Sequence, residues 1–287
     1  MGSIENNNPN NRRQIGIGGI SSSSYSTPNE IRQESFLTWL KNIFCPNFKY
    51  SSTIFILTCI DLIVYIVTLF FGIKRTPYEL LAPTFETLDL FGMKYPSKIY
   101  RGQIHRLVLF GLLHANLVHL VSNLLSQIIL GSIMEGFIGS KKAFILYLLS
   151  SVCGGMFSCV MSFSPGVGAS VAIFGILGAY FGYTVINWNY VKENVNYIMN
   201  LFFIILIVIM NASYGLSSDI IDNYGHLGGF IYGFLFAFLL IDPKGGNNEL
   251  SLWFSYDAWR KYTITIISIS IFLLIFIFWI IQKPILF

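Results

Sequence analysis

The chain has 287 residues, 54% of them hydrophobic and only 11% charged, with a mean hydropathy of +0.63. A soluble domain carries about 25% charged residues, so this composition excludes an ordinary soluble fold and points to a membrane protein. The formal net charge of +4 comes without a dense Lys/Arg run that would suggest nucleic acid, and the four cysteines show no Cys-x-x-Cys or Cys/His metal spacing.

Residues 1–49 are polar and rich in Asn and Ser, as in NNNPNN and SSSS. They cannot bury a core and are expected to form a disordered cytoplasmic tail. No apolar core of a cleavable signal lies near Met1, so the first span is expected to target the membrane itself. Arg12, Arg13 and the serines faintly resemble a mitochondrial presequence, against which stand Glu5, Glu30 and Glu34. Cys45, just before the first span, is a candidate for lipidation, whereas Cys59, Cys153 and Cys159 fall in apolar runs as small core residues.

Apolar runs long enough to cross a bilayer occur near 52–73, 116–134, 143–162, 170–187, 196–213, 222–241 and 263–281. The expected fold class is thus an all-α membrane protein with seven transmembrane helices. Six of them would form a core over 50–241, and residues 242–287 would supply a cytoplasmic loop and a separate seventh helix. The long segment 74–115, with its semi-apolar piece LVLFGLLHANL, is expected to lie on the membrane surface or partly in it. No internal repeat of the transporter kind appears.

Basic residues set the orientation. With the N-terminus cytoplasmic, the inner segments hold eleven Lys/Arg, including Lys141, Lys142, Lys192 and Lys244, against seven outside, Lys94 and Arg106 among them. The short loops near 163–169 and 214–221 hold none. The C-terminus then lies outside, and spans 2, 4 and 6 all run inward, to ends marked by Glu135, Trp188-Asn189 and Asp242-Pro243. His119 lies 16 residues before the first mark, Ser170 18 before the second and His226 16 before the third. At about 1.5 Å per residue all three reach one level, a few ångströms below the outer surface. Asn123 points the same way one turn below His119. The loop 162–169 should dip to meet Ser170, which irregular backbone does only where protein or a wet cavity surrounds it. All four histidines (His105, His114, His119 and His226) fall at or near this layer, and polar groups at such a depth tend to be functional.

A serine hydroxyl is a poor nucleophile until a base takes its proton. His226 is the candidate base if span 6 lies against span 4. Gly175, Gly178 and Gly182 on one, with Gly229 and Gly233 on the other, allow that close approach. Donors for a developing oxyanion would be the Asn123 amide, the His119 ring and backbone N–H groups at the start of span 4. Asp222, one turn before His226, reads as a carboxylate near a helix N-terminus and not as a third triad member, which leaves a Ser–His dyad. The soluble G-x-S-x-G elbow is excluded, because no strand precedes Ser170 and Ala172 replaces the second glycine.

These residues resemble the rhomboid intramembrane serine proteases. The match is carried by GQIHRLVLFGLLHANLVHLVSN at 102–123, the GxxxE then GS pattern at 131–140, GASVAIFG at 168–175 and DNYGHLGGFIYG at 222–233, and it covers about 100–241. The six-plus-one layout is similar to the secretase-type eukaryotic branch. The resemblance implies Ser170 as nucleophile, His226 as general base, and Asn123, His119 and the Ser170 backbone as oxyanion hole. It further implies that Gly168 lets a substrate backbone approach, that Phe174 stacks on the catalytic histidine, and that Arg106 is the arginine of a structural Trp-Arg pair in the first loop. Gly229 supports the packing. No metal and no other cofactor is implied. The partners it implies are single-span transmembrane substrates and the lipid bilayer, in the secretory pathway or plasma membrane, with cleavage expected near the extracytoplasmic face.

Three departures stand out: His105 where Trp is usual, Val171 where Gly is common and able to narrow the substrate cleft, and a tail unlike any in the family. Asp61, in the middle of span 1, receives no role. Asn211-Ala-Ser213 is formally a glycosylation sequon too near the membrane to be an acceptor. The competing readings are a catalytically silent rhomboid relative that escorts membrane clients and, last, a transporter.

Overall fold

A computed structural model describes residues 50–74, 80–192, 205, 222–244 and 256–283, all within one compact unit, Leu40–Phe287. The tail 1–49 with Cys45, the expected fifth span at 196–213 apart from Ile205, the sequon at Asn211, and 245–255 of the polar loop lie outside the described residues.

The first membrane helix, α1 (Thr53–Phe71), begins where the apolar run follows Ser52, whose hydroxyl accepts the Phe55 N–H at 3.0 Å. Two more first-turn donors, the N–H groups of Thr53 and Ile54, reach the Glu135 carboxylate at 3.0 and 3.1 Å. Glu135 is therefore not the end of the second span. It lies inside α5 (Leu117–Ile138), which continues to Ile138, and it serves as a cap for α1.

Between α1 and α5 the chain forms α2 (Phe85–Leu90), α3 (Pro96–Tyr100), α4 (Arg106–Leu109) and a 3-10 turn (Phe110–Leu112). Next come α6 (Ser140–Met161), α7 (Ser170–Ile186), the short α8 (Trp188–Val191), α9 (Asn223–Leu240) and α10 (Tyr256–Gln282). Among the described residues there is no strand, only two isolated bridges, Ile73 with Pro83 and Lys94 with Gly166. Five helices (α1, α5, α6, α9 and α10) are long and apolar enough to cross a membrane, and α7 is a shorter apolar helix.

Helix α10 starts earlier than the apolar run alone suggests, because its polar first turns have partners on α9. Arg260 donates to the Leu239 carbonyl at 3.3 Å and Trp259 stacks on Phe238. Farther along, the Tyr232 hydroxyl meets Ser270 at 3.0 Å, and Phe278 meets Tyr100 of α3 edge-on.

Asp61 has a structural place. Its Oδ2 accepts from Gln127 Nε2 at 3.0 Å, the same amide donates to Thr58 Oγ1 at 3.1 Å, and the Tyr147 hydroxyl donates to Gln127 Oε1 at 2.7 Å. The network joins α1, α5 and α6 inside the bundle.

The glycines bring α7 and α9 into backbone contact. A Cβ on Gly178 would lie 2.0 Å from the Phe230 carbonyl oxygen, one on Gly229 2.1 Å from that of Val171, and one on Gly233 1.9 Å from that of Gly175. Gly175 also faces α6, where an added Cβ would meet Ser150 Cβ at 2.2 Å. Since the obstacle at Gly178 is backbone, it cannot swing aside as a side-chain tip would. Gly178→Ala is expected to destabilise the protein by about 1–3 kcal/mol, and thermal unfolding in detergent would read this as a lowered midpoint.

Candidate active site

Three helix N-termini meet at one end of the bundle. Asn116 caps α5 by accepting the His119 N–H at 2.9 Å, and Asp222 caps α9 by accepting the Gly225 N–H at 2.9 Å. Ser170 opens α7 with no side-chain cap at Ala169, so the first N–H groups of that helix, which have no intrahelical partners, are not met by a capping side chain. His226 lies one turn into α9, its N–H bonded to the Asp222 carbonyl at 2.9 Å.

This arrangement puts Ser170 Oγ 2.6 Å from His226 Nε2, a hydrogen bond at the short end of the O–H···N range. Phe174 stacks flat on the His226 ring, with centroids 4.4 Å apart and planes 2° from parallel. Both residues are nearly enclosed, Ser170 at 5% and His226 at 6% exposure.

The His119 ring and Ser170 both face Gly168. Gly168 has φ +132°, and a Cβ there would sit 3.0 Å from His119 Nε2 and 3.2 Å from Ser170 Oγ. The empty glycine side is thus the gap between imidazole and hydroxyl. The Ala115 N–H donates to His119 Nδ1 at 3.3 Å, so a neutral ring carries its proton on Nε2, the nitrogen that faces this gap. Asn123, one turn along α5, is 1% exposed, and neither its amide oxygen nor its amide nitrogen has a hydrogen-bond partner among the described residues. An orphaned buried amide costs about 1–3 kcal/mol, so the Asn123 amide gains from any added hydrogen-bond partner.

His114 packs edge-on against His119 with centroids 5.4 Å apart. Burial pushes its ring well below the ordinary imidazole range, the neighbouring His119 adds to that shift, and the Leu112 backbone offsets part of it. His105 is exposed at the start of α4 and stands apart from this cluster.

Arg106 is buried in the first loop. It donates to the Met93 carbonyl at 2.9 Å and to Gln103 at 2.7 Å, and it pairs with Asp89 at 3.1 Å. Val171 is buried at 1% exposure. Its methyl groups fill the space left by glycines on α6 and α9: a Cβ on Gly154 would meet Val171 Cγ1 at 2.6 Å, and one on Gly225 would meet Cγ2 at 2.8 Å.

Lys94 is the residue that sequence reasoning missed. It reads as an outer-loop charge, yet it is 1% exposed and pairs with Asp222 at 2.6 Å. Asp222 itself sits at the helix N-terminus as its spacing suggested, and that spacing carried no signal for a partner 128 positions away. Among the described residues no group of three or more His, Cys, Asp or Glu is placed to hold a metal ion.

Comparison with known proteins bears on the same stretch. The rhomboid domain family model matches residues 101–243, which include Arg106, His119, Asn123, Gly168, Ser170, Phe174, His226 and Gly229. Rhomboid-like protease 1 of Toxoplasma gondii is 30% identical over 246 residues, 84% of this chain and 80% of that protein. Rhomboid-like protease 2 of the same organism is 33% identical over 202 residues, 70% of this chain and 68% of the relative. The chain belongs to the rhomboid family of intramembrane proteases. Rhomboid protease GluP of Bacillus subtilis, 38% identical over 161 residues, shares 56% of this chain but only 31% of its own length. Family membership and the apolar helices together make this rhomboid an integral multi-pass membrane protein.

Proposed function

We propose that this rhomboid is a serine endopeptidase that cuts single-span transmembrane proteins near the extracytoplasmic side of the bilayer and releases their ectodomains. The observation that carries the reading is the 2.6 Å contact between Ser170 Oγ and His226 Nε2. The hydroxyl attacks the scissile carbonyl carbon while His226 Nε2 takes its proton, and the imidazolium then passes that proton to the leaving amine. Water attacks the resulting acyl-enzyme, with His226 again the base, and Ser170 is regenerated.

The tetrahedral oxyanion is met by the His119 Nε2–H, the Asn123 amide and the Ser170 N–H. Gly168 leaves room for the substrate backbone, Phe174 holds the His226 ring flat, and Gly229 lets α9 approach α7. Arg106 fixes the first loop. No metal or other cofactor takes part in these steps. A single-span segment with small or helix-breaking residues would unwind into the site most readily.

The layout that goes with this reading is a core over 50–241 with a seventh helix in 242–287, the N-terminus cytoplasmic and the C-terminus extracytoplasmic. The compartment would be the secretory pathway or plasma membrane. The test is labelling by a fluorophosphonate probe together with cleavage of model single-span proteins in liposomes. Wild type should be labelled and active, while Ser170→Ala should be neither, at equal expression. Absence of labelling in well-folded wild type would favour a silent client-binding relative, and cleavage unchanged by Ser170→Ala would sink the dyad.

A further inference from the structure

Lys94 and Asp222 form a buried charged pair that the proposed chemistry does not use. Lys94 Nζ meets Asp222 Oδ2 at 2.6 Å, with side-chain exposures of 1% and 4%. Both residues also bond to the Ser158 hydroxyl of α6, the lysine as donor and the other carboxylate oxygen as acceptor. The Lys94 main chain is paired in addition. Its N–H donates to the Gly166 carbonyl at 3.0 Å and its carbonyl accepts the Gly166 N–H at 3.0 Å. A Cβ on Gly166 would stand 3.2 Å from Asp222 Oδ2 and 3.3 Å from Lys94 Cε, so a larger residue there would press on both side chains.

From this one residue two short paths lead to the dyad. Asp222 bonds the Gly225 N–H through its side chain at 2.9 Å and the His226 N–H through its carbonyl at 2.9 Å. Gly166 lies four positions before Ser170 in the loop that enters α7. Arg106 grips the Met93 carbonyl next to Lys94, which holds the near end of the connection.

Resting on the protease reading, we propose that Lys94 is a positioning residue for the Ser170–His226 dyad, registering the N-terminus of α9 against the loop that delivers the nucleophile. Stability alone does not call for such a pair, since a buried ion pair can often be replaced by apolar groups at no net cost. What the pair adds is direction, because one ammonium group reaches α6 and α9 while its own backbone holds the α7 entry loop. Misplacement of reacting groups by about 1 Å can cost roughly 10²-fold in rate.

The test uses the full chain in liposomes. Lys94→Met alone leaves the Asp222 carboxylate buried without its cation and is expected to yield little folded protein. The informative variant is Lys94→Met with Asp222→Asn, which removes both charges, nearly keeps both shapes and leaves an amide oxygen to cap α9. It should fold, with kcat lowered about 10–100-fold, KM within about twofold, and the rate of fluorophosphonate labelling at Ser170 lowered in parallel. Ser158→Ala, a minimal change, should show the same pattern more weakly, with kcat lowered about 3–10-fold and KM unchanged.

Wild-type kcat and labelling rate in a folded variant would overturn the proposal, and so would a raised KM with unchanged kcat. If the double variant does not fold, Ser158→Ala decides on the same readouts. Failure of wild type itself to label or cleave would bear on the protease reading instead, so the two failures are distinguishable.

Discussion

His226→Ala is expected to lower kcat on a transmembrane substrate by at least about 10⁴-fold, and adding Ser170→Ala should lower it no further. The two side chains share one hydrogen bond of 2.6 Å, so either substitution removes the same proton transfer. The Phe174 ring stacked on His226 holds the imidazole plane beside the hydroxyl. Single-turnover cleavage in liposomes, at matched amounts of folded protein, measures this directly. Additive losses in the double variant would mean that Ser170 and His226 do not act as a unit.

The second large effect is expected at Asn123. Asn123→Ala should lower kcat about 10²–10³-fold with little change in KM, as loss of one oxyanion donor does elsewhere. Its stability effect should run the other way. Neither amide atom has a partner among the described residues, so Asn123→Leu, which keeps the branching at Cγ and removes the orphaned groups, should unfold no earlier than wild type and up to about 1 kcal/mol later. Thermal unfolding in detergent alongside kcat separates the two. A variant that lost activity and stability together would point to Asn123 as a packing residue.

Much of this site was legible in the sequence because it depends on local rules. Counting back from Glu135, Trp188 and Asp242 sets His119, Ser170 and His226 at similar distances along their helices, although α5 runs on past its mark to Ile138, and the glycine spacing on α7 and α9 supplies the close approach. The Asp222 cap follows from a carboxylate just before an apolar run. What was not legible depends on contacts between distant segments. Nothing in the pattern pairs Lys94 with Asp222, or sends Glu135 back to the first turn of α1. The direction of Val171 was equally hidden, because it depends on gaps left by Gly154 and Gly225 on two other helices. The start of α10 escaped for a related reason: its charged first turns look like loop until Leu239 and Phe238 are seen to receive them.

The polar contacts between α1 and α5 bear on how the molecule meets its bilayer. Four hydrogen bonds join the two helices: Thr53 and Ile54 to Glu135 at one end, and Gln127 to Thr58 and Asp61 at mid-depth. Sliding α1 by a single turn, about 5.4 Å, would break all four bonds and strand the mid-depth groups of Thr58, Asp61 and Gln127 where lipid offers no replacement. At about 1–3 kcal/mol each, that fixes the vertical register of the pair. A membrane thicker or thinner than the apolar band must then be matched by tilting the bundle or deforming the lipid, because these two helices cannot shift past each other to absorb the difference.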